Sequence, residues 1–169
     1  MVYLFIEGPD DEKFFSRVFG GFWGEIKYIQ YSGWTNGKIN NFIKSISCMP
    51  TSCYYFIGDA DGKSIEQKAN ILAKKYKNLE CARVFIVQYE IESWYYAGIG
   101  EALHQKLGMK RYIYCTDCLT KEDFNFKLSK KMDRKYAMSQ ILSFYDLQIA
   151  LNRNNSLRIF NNGIKKEPA

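Results

Sequence analysis

The sequence predicts an α/β protein with a central, mostly parallel sheet of four strands flanked by helices, followed by a helical C-terminal extension. Short apolar runs alternate with runs of helical spacing as far as residue 87, and acidic residues follow three of the apolar runs. The order β-α-β-α-β-α-β is typical of a parallel sheet covered by helices. Ligands of such sheets bind beyond the carboxyl ends of the strands, so the acids are expected at a ligand site.

The individual elements follow from residue spacing and from the positions of Gly and Pro. The predicted strands are 2–6, 26–31, 53–57 and 83–87, and the helices between them are 10–19, 39–46 and 65–76. Beyond residue 91 the pattern changes, and short helices are expected at 94–97, 102–107, 133–145 and 146–151, with a last turn at 156–160. The segment 121–131 is charged and less regular. We expect residues 1–100 to form a core domain and 101–169 a helical extension packed on it.

The first acidic site follows the strand 2–6. Glu7 ends a buried apolar run, and Gly8 lets the backbone turn sharply so that the carboxylate faces the sheet edge. Asp11 lies one helical turn further on and is a candidate to support Glu7 as a further metal ligand. The acids at 10–12 are also typical of a helix start, where the helix dipole favours negative charge, but that explanation accounts poorly for Glu7.

The second acidic site is the loop after the strand 53–57. Asp59 and Asp61 are separated by one residue and flanked by glycines, so both carboxylates can reach one hard cation from the same side. The alternative is an ordinary turn in which Asp61 or Ser64 caps the next helix, because Asp-Gly is common in turns.

The third acidic site is the segment YEIESW at 89–94. Glu90 and Glu92 point in different directions whether the segment is a strand or a helix, so at most one is expected to face the same site as Asp59. The alternative is a solvated helix start with Glu92 near its first turn.

The charge pattern favours a polyanionic partner. The net charge is +6, and the lysines are dense at 68–77 and 121–135 while the acids are clustered. Basic surface beside an acidic pocket suits a metal-dependent enzyme acting on nucleic acid. Lysines that are candidates to stabilise a scissile phosphate are Lys63, Lys130, Lys131 and Lys135, and the alternative for each is ordinary solvated surface.

The cysteines and the termini exclude other classes of protein. Five cysteines are an odd count for a disulfide framework, and a structural zinc would require Cys48 and Cys53 to converge with Cys115 and Cys118. No stretch reaches the ~18 uncharged apolar residues that a spanning helix needs, and the start lacks the basic leader of a signal peptide. We therefore expect a cytoplasmic protein without a membrane partner.

Three short segments resemble the signature motifs of the Toprim fold. They are FIEG at 5–8 with Asp11 following, FIGDADG at 56–62, and YEIESW at 89–94, the last being similar to the third acidic motif of small standalone Toprim-like nucleases of the RloB-like group. The resemblance covers roughly the first hundred residues. It implies a Toprim, Rossmann-like core related to the nuclease domain of OLD-family proteins.

The resemblance also implies roles for individual residues. Glu7 would act as a metal ligand or general acid/base, Asp59 and Asp61 would be the metal-binding pair, and Glu90 or Glu92 would bind a second metal. The implied cofactor is Mg²⁺ or Mn²⁺. Two cations ~4 Å apart would activate water and stabilise both oxygens of a phosphodiester displacement.

The resulting hypothesis is a metal-dependent nuclease that cuts DNA or RNA, with a role in anti-phage defence or as a toxin effector, and with an ATPase partner encoded nearby. One alternative is a non-catalytic Toprim-like module that binds nucleic acid or that ATPase. Another is a phosphohydrolase of small phosphates with an Asp nucleophile.

Overall fold

The computed structural model describes residues 1–129 and 132–165. Its four strands are β1 (Val2–Ile6), β2 (Ile26–Gln30), β3 (Cys53–Asp59) and β4 (Val84–Val87). Its helices are α1 (Pro9–Val18), α2 (Asn36–Ser47), α3 (Ile65–Lys75), α4 (Glu92–Ala97), α5 (Glu101–Lys106), α6 (Lys121–Lys127), α7 (Arg134–Ser143), α8 (Leu147–Arg153) and α9 (Asn155–Ile164). The predicted α/β class, with four strands flanked by helices and a helical C-terminal region, is confirmed.

The strands form one sheet with the order β2-β1-β3-β4, and every neighbouring pair is parallel. Val2 pairs with Ile26 of β2 on one side and with Cys53 of β3 on the other. All five residues of β1 are buried, whereas β2 alternates between half-buried and exposed residues. This difference is expected between a central and an edge strand and agrees with the apolar run of β1.

Helices α1 and α3, which lie between the strands in sequence, begin where the sequence provides start signals. Pro9 occupies the first turn of α1, which carries Asp10, Asp11 and Glu12, and Gly8 is the cap residue. Ser64 caps α3 by accepting from the backbone N–H of Gln67. The alternative reading of Ser64 as a helix cap is therefore confirmed.

A core of apolar side chains holds β1 and β3 against α2 and α3. It includes Phe5, Ile39, Ile43, Phe56 and Leu72, each at most 4% exposed. The rings of Phe5 and Phe56 stack at a centroid distance of 5.5 Å. Burial of such side chains contributes roughly 1.5–3 kcal/mol each.

Several sequence-based element boundaries differ from the structure. The segment 121–127 is helical rather than irregular, because Thr120 and Asp123 form a reciprocal capping pair at its start. The last element is a ten-residue helix rather than a turn, because Asn154 caps it and Leu157, Phe160 and Ile164 give it a buried face. β2 ends at Gln30, and a short 3-10 turn, Tyr31–Gly33, follows it.

The chain divides into two compact units, of which the first comprises Met1–Val87 and the second begins at Gln88. The first is called the sheet unit and the second the helical unit below. The predicted boundary between residues 100 and 101 remains a prediction. None of the helices in the described ranges is long and apolar enough to span a membrane.

Candidate functional site

Two of the predicted acidic positions of the sheet unit are directly connected. Glu7 follows the last residue of β1 and Asp59 is the last residue of β3, and these strands are parallel neighbours. Their carboxyl ends therefore lie at the same edge of the sheet. The Glu7 Oε1 atom accepts a hydrogen bond from the Asp59 backbone N–H at 3.2 Å. We call Glu7, Asp59 and Asp61 the acidic sheet edge.

The Tyr31 hydroxyl contacts the same oxygen of the Glu7 carboxylate. Its hydroxyl lies 2.9 Å from Glu7 Oε1 and 3.1 Å from the carbonyl oxygen of Ile57. Burial raises the Tyr31 pKa above its ordinary value, and the nearby Glu7 carboxylate raises it further. The phenol therefore keeps its proton and remains a donor, which orients one Glu7 oxygen toward the Asp59 backbone.

A lysine contacts two carboxylates of the acidic sheet edge. The Lys68 ammonium forms an ion pair with Asp61 Oδ2, and its Nζ atom lies 3.9 Å from Glu7 Oε1. The Lys68 side chain is 11% exposed, compared with 34% for Glu7 and 54% for Asp61. One cation therefore sits between the acids that follow β1 and β3.

Sequence reasoning missed Lys68, although a signal for it exists. It lies on α3 one turn before Leu72, which is buried, so residues 68 and 72 share the face that packs on the sheet. α3 begins just beyond the carboxyl end of β3. A lysine in the first turns of such a helix, on its buried face, is directed to the strand ends rather than to solvent.

The absence of a side chain at Gly58 leaves room for Tyr31, Lys68 and Leu72. An added Cβ at Gly58 would lie 3.2 Å from Leu72 Cδ1, 3.5 Å from the Tyr31 hydroxyl and 3.7 Å from Lys68 Cε. The loop beyond it then turns through Asp61 and Gly62, which have φ of 51° and 74°. Asp tolerates this left-handed conformation better than most residues, and glycine adopts it freely.

Asp11 has a structural role at the start of α1. It is 5% exposed, and its Oδ2 atom accepts a hydrogen bond from the Gly8 backbone N–H at 3.0 Å. This contact satisfies a backbone donor at the helix start, as a side chain at this helical position commonly does. Its predicted role as a metal ligand remains a prediction.

Two of the four candidate lysines, Lys63 and Lys135, lie in the described ranges, and both are exposed. Lys63 lies in the loop after Asp61, and its backbone N–H donates to the Ala60 carbonyl at 3.0 Å. Lys135 is the second residue of α7. Neither side chain forms a hydrogen bond or ion pair with any residue in the ranges 1–129 and 132–165. Lys130 and Lys131 lie outside the described residues.

The acids of the third predicted site have partners inside the helical unit. Glu90 Oε2 accepts a hydrogen bond from the Lys121 backbone N–H at 2.7 Å, where α6 begins. Glu92 is 3% exposed and forms an ion pair with Arg134. Glu92 is the first residue of α4, as the alternative of a helix start predicted, but it is buried rather than solvated. Metal binding by Glu90 or Glu92 remains a prediction.

The donor chemistry of the acidic sheet edge suits a hard divalent cation. Mg²⁺ prefers carboxylate oxygens and takes one or two of them while keeping several waters. The Lys68 ammonium already places one positive charge beside the carboxylates of Glu7 and Asp61. Within the described part of the chain, no group of three or more His, Cys, Asp or Glu side chains has the arrangement of a metal site. Mg²⁺ or Mn²⁺ therefore remains a prediction.

Comparisons with known proteins provide no relative from which a function can be transferred. Neither protein-family models nor curated proteins nor solved structures gave a match to this chain. The Toprim resemblance therefore depends on the short motifs alone.

Proposed function

We propose that this protein is a metal-dependent phosphodiesterase of the Toprim type that cuts DNA or RNA at the acidic sheet edge. The observation that carries the proposal is the shared contact of the Lys68 ammonium with Glu7 and Asp61. A cation held between the ends of β1 and β3 means that carboxylates from two loops act on one position. That position lies where ligands of parallel α/β sheets bind.

The proposed roles follow from the contacts of each group. Glu7, Asp59 and Asp61 would hold Mg²⁺ or Mn²⁺, and the bound metal would activate water and neutralise charge on the phosphate oxygens. Tyr31 and the Asp59 backbone N–H both point at Glu7 Oε1, so they orient that carboxylate. Lys63 would supply positive charge to the scissile phosphate from the adjoining loop.

The helical unit enters the proposal through Lys135 and the two glutamates. Lys135 is exposed on α7 and is proposed to contact a phosphate. Glu90 or Glu92 would be a ligand of a second metal only after release from the α6 backbone or from Arg134, respectively. A one-metal site at the acidic sheet edge is therefore the simpler form of the proposal.

The substrate class is supported by charge. The net charge of +6 favours a polyanion, because each Lys or Arg placed near a phosphate releases counterions. A role in anti-phage defence or as a toxin effector is part of the proposal only through the Toprim resemblance.

A second candidate function is a non-catalytic Toprim-like module that binds nucleic acid or a partner ATPase. The observation that favours it is again Lys68, because an ammonium that already neutralises Glu7 and Asp61 lowers the need for a metal there. The two candidates therefore differ in whether a divalent cation displaces Lys68.

Cleavage assays distinguish the two candidates. Labelled DNA, RNA and tRNA are incubated with Mg²⁺ or Mn²⁺ and the parent protein or a D59N,D61N double variant, and Glu66→Gln on α3 is the matched control for loss of an exposed acid. Cleavage by the parent and the control, but not by the double variant, is the expected result. Absence of cleavage with every substrate and metal would overturn the nuclease proposal and favour the binding module.

Metal binding gives a second readout that does not depend on the choice of substrate. Titration with Mn²⁺, followed by calorimetry, is expected to give tighter binding to Lys68→Met than to the parent, because the competing ammonium is removed. It is expected to give no binding to the double variant. If Lys68→Met binds Mn²⁺ no better than the double variant does, the acidic sheet edge is not a metal site.

A further inference from the structure

The helical unit contains a cavity that the proposed cleavage chemistry does not use. Its volume is about 380 Å³, and its walls come from the segment after α5 and from α6. Three cations line it, namely Lys110, Arg111 and Lys127. The size is within the range of sites for small organic ligands.

The charge of the cavity favours an anion. Asp123 is the carboxylate in its wall, and that group already accepts hydrogen bonds from the Thr120 hydroxyl at 3.0 Å and the Thr120 N–H at 3.3 Å. None of the three cations forms an ion pair with a carboxylate in the described ranges. Three cations and one carboxylate in one concave site leave a net positive charge there.

The burial of Lys127 distinguishes this cavity from a patch of surface lysines. It is 8% exposed, and its ammonium donates to the Arg111 carbonyl at 2.9 Å. Its Nζ atom also lies 5.4 Å from the ring centroid of Tyr96. A buried ammonium with one backbone acceptor has further donors available for an anion in the cavity that it lines.

An aromatic ring stands beside these cations. Phe126 lines the cavity and is 72% exposed, although Phe124 on the same helix is fully buried. The Lys110 Nζ atom lies 4.5 Å from the centroid of the Phe126 ring. An accessible aromatic ring can stack on the planar base of a nucleotide, and the neighbouring cations can bind its phosphate.

We propose that this cavity binds a nucleotide of single-stranded nucleic acid, with the base stacked on Phe126 and the phosphate held by Lys110, Arg111 and Lys127. A base inside a duplex is already stacked between its neighbours and cannot cover the ring, so the site selects unpaired strands. The inference extends the proposed function, on which it rests for the class of substrate, by naming single strands as the form that is bound.

The chain supplies a matched control for the aromatic ring. Phe144 is 56% exposed, and Lys106 Nζ lies 4.6 Å from its ring centroid, so this pair repeats the Phe126–Lys110 contact outside the cavity. If exposed Phe–Lys pairs are ordinary surface contacts, the two pairs will respond equally to substitution.

Binding to fluorescein-labelled single-stranded DNA and RNA, measured by anisotropy in EDTA, tests the proposal. Phe126→Ala is expected to weaken binding about tenfold, as loss of one base–aromatic stack does, whereas Phe144→Ala leaves Kd within about twofold of the parent. Lys110→Ala is likewise expected to weaken binding more than Lys106→Ala. Equal effects of the members of either pair, or equal affinity of the parent for duplex and single strands, would overturn the proposal.

The cysteines provide an independent footprint of the same cavity. Cys115 and Cys118 are exposed and line it, while Cys48 and Cys81 are exposed in the sheet unit. A saturating single-stranded oligonucleotide is expected to slow alkylation of Cys115 and Cys118, measured by mass spectrometry, but not that of Cys48 and Cys81. In Phe126→Ala the same protection should require about tenfold more oligonucleotide, and uniform protection of all four thiols would contradict the site.

Both assays omit divalent metal, so they separate this inference from the proposed cleavage. Binding that depends on Phe126 without any cleavage would refute the nuclease and retain the site. Cleavage without dependence of binding on Phe126 would do the reverse.

Discussion

The sheet unit and the helical unit are stabilised in different ways. In the sheet unit, parallel backbone pairing joins β2, β1, β3 and β4, and apolar side chains fill the core. In the helical unit, the guanidinium of Arg153, which is buried, donates hydrogen bonds to four backbone carbonyls. The sheet unit is thus joined mainly by backbone pairing between strands, and the helical unit also depends on hydrogen bonds from a side chain to the backbone.

Arg153 is the central structural cation of the helical unit. It is 3% exposed, and its guanidinium donates to the carbonyls of Ala97, Ile99, Ile113 and Tyr114. The planar group with five donors suits this arrangement, because two of the carbonyls lie at or just beyond the end of α4 and two lie in an irregular segment, where no strand partner can satisfy them. The segment 107–120 is therefore held by a side chain rather than by a sheet.

The acids of the two units also differ in how they are paired. Glu90 and Glu92 each have a separate partner in the helical unit, whereas Glu7 and Asp61 share Lys68 in the sheet unit. Separate pairing is typical of acids that stabilise structure. In the sheet unit, one ammonium instead contacts acids that follow two different strands.

Substitution of the buried arginine tests the comparison most strongly. Arg153→Met is expected to lower the free energy of unfolding by about 3–5 kcal/mol, because four carbonyls lose their donor. Hydrogen exchange followed by mass spectrometry should show the loss of protection in residues 88–165 and much less in 1–87. Arg158→Met, at an exposed position of α9, is the control, with an effect of about 0.5 kcal/mol or less. Similar effects of the two variants would refute the role given to Arg153.

Gly98 and Gly58 differ in how closely neighbouring side chains pack against them. A Cβ at Gly98 would lie 2.3 Å from the Tyr145 ring, whereas a Cβ at Gly58 meets Leu72 Cδ1 at 3.2 Å, where a flexible side chain can yield. Gly98→Ala is expected to destabilise by about 3 kcal/mol and Gly58→Ala by about 1 kcal/mol. Urea unfolding of both variants measures these values, and the reverse order would contradict the assigned packing.

The two glutamates of the helical unit differ in the contacts that they make. Glu92 forms a buried ion pair, and Glu90 accepts a hydrogen bond at the start of a helix. Glu92→Leu is expected to lower the free energy of unfolding by about 2 kcal/mol, because Arg134, with 27% of its side chain exposed, loses its carboxylate. Glu90→Ala, which removes the acceptor at the start of α6, is expected to lower it by about 0.5 kcal/mol. If both variants unfold like the parent, these acids are not structural, and their proposed metal role gains weight.

The smallest expected effect is a pH dependence of the helical unit. His104 is buried, and burial lowers its pKa below the ordinary 6.5, with Lys127 and Arg153 acting in the same direction. The unfolded chain therefore binds the proton more readily, so stability is full above the ordinary pKa and falls as the pH drops below about 6.5. Unfolding between about pH 7.5 and 5 measures the slope, and His104→Leu should flatten it. An unchanged slope would assign the dependence to other groups.

The sheet unit was largely predictable from its sequence. The run VYLFI at 2–6 and the acids after residues 6 and 58 define a buried strand and the acidic sheet edge, since local apolar pattern and chain order determine both. Lys68 was missed because a lysine in a basic helix is normally solvated. Its location depends on the space left by Gly58, which only the packed structure reveals.

The helical unit was predicted less well, for a related reason. The ten residues of α9 include Asn161, Asn162 and Gly163, which have low helix propensity, so the sequence favoured only a short turn. Burial of Phe160 and Ile164 extends the helix in spite of that propensity. In the same way, the four acceptors of Arg153 are distant in sequence and give no local pattern.

The position of β1 has a consequence for synthesis of the chain. This strand is central in the sheet, yet it leaves the ribosome before β2, and its partner on the other side begins only at Cys53. Its five residues, all buried in the finished fold, therefore wait as an exposed apolar segment during translation. Soluble yield should depend on how fast ribosomes translate the codons between β1 and β3, and far less on the speed of translation after β4.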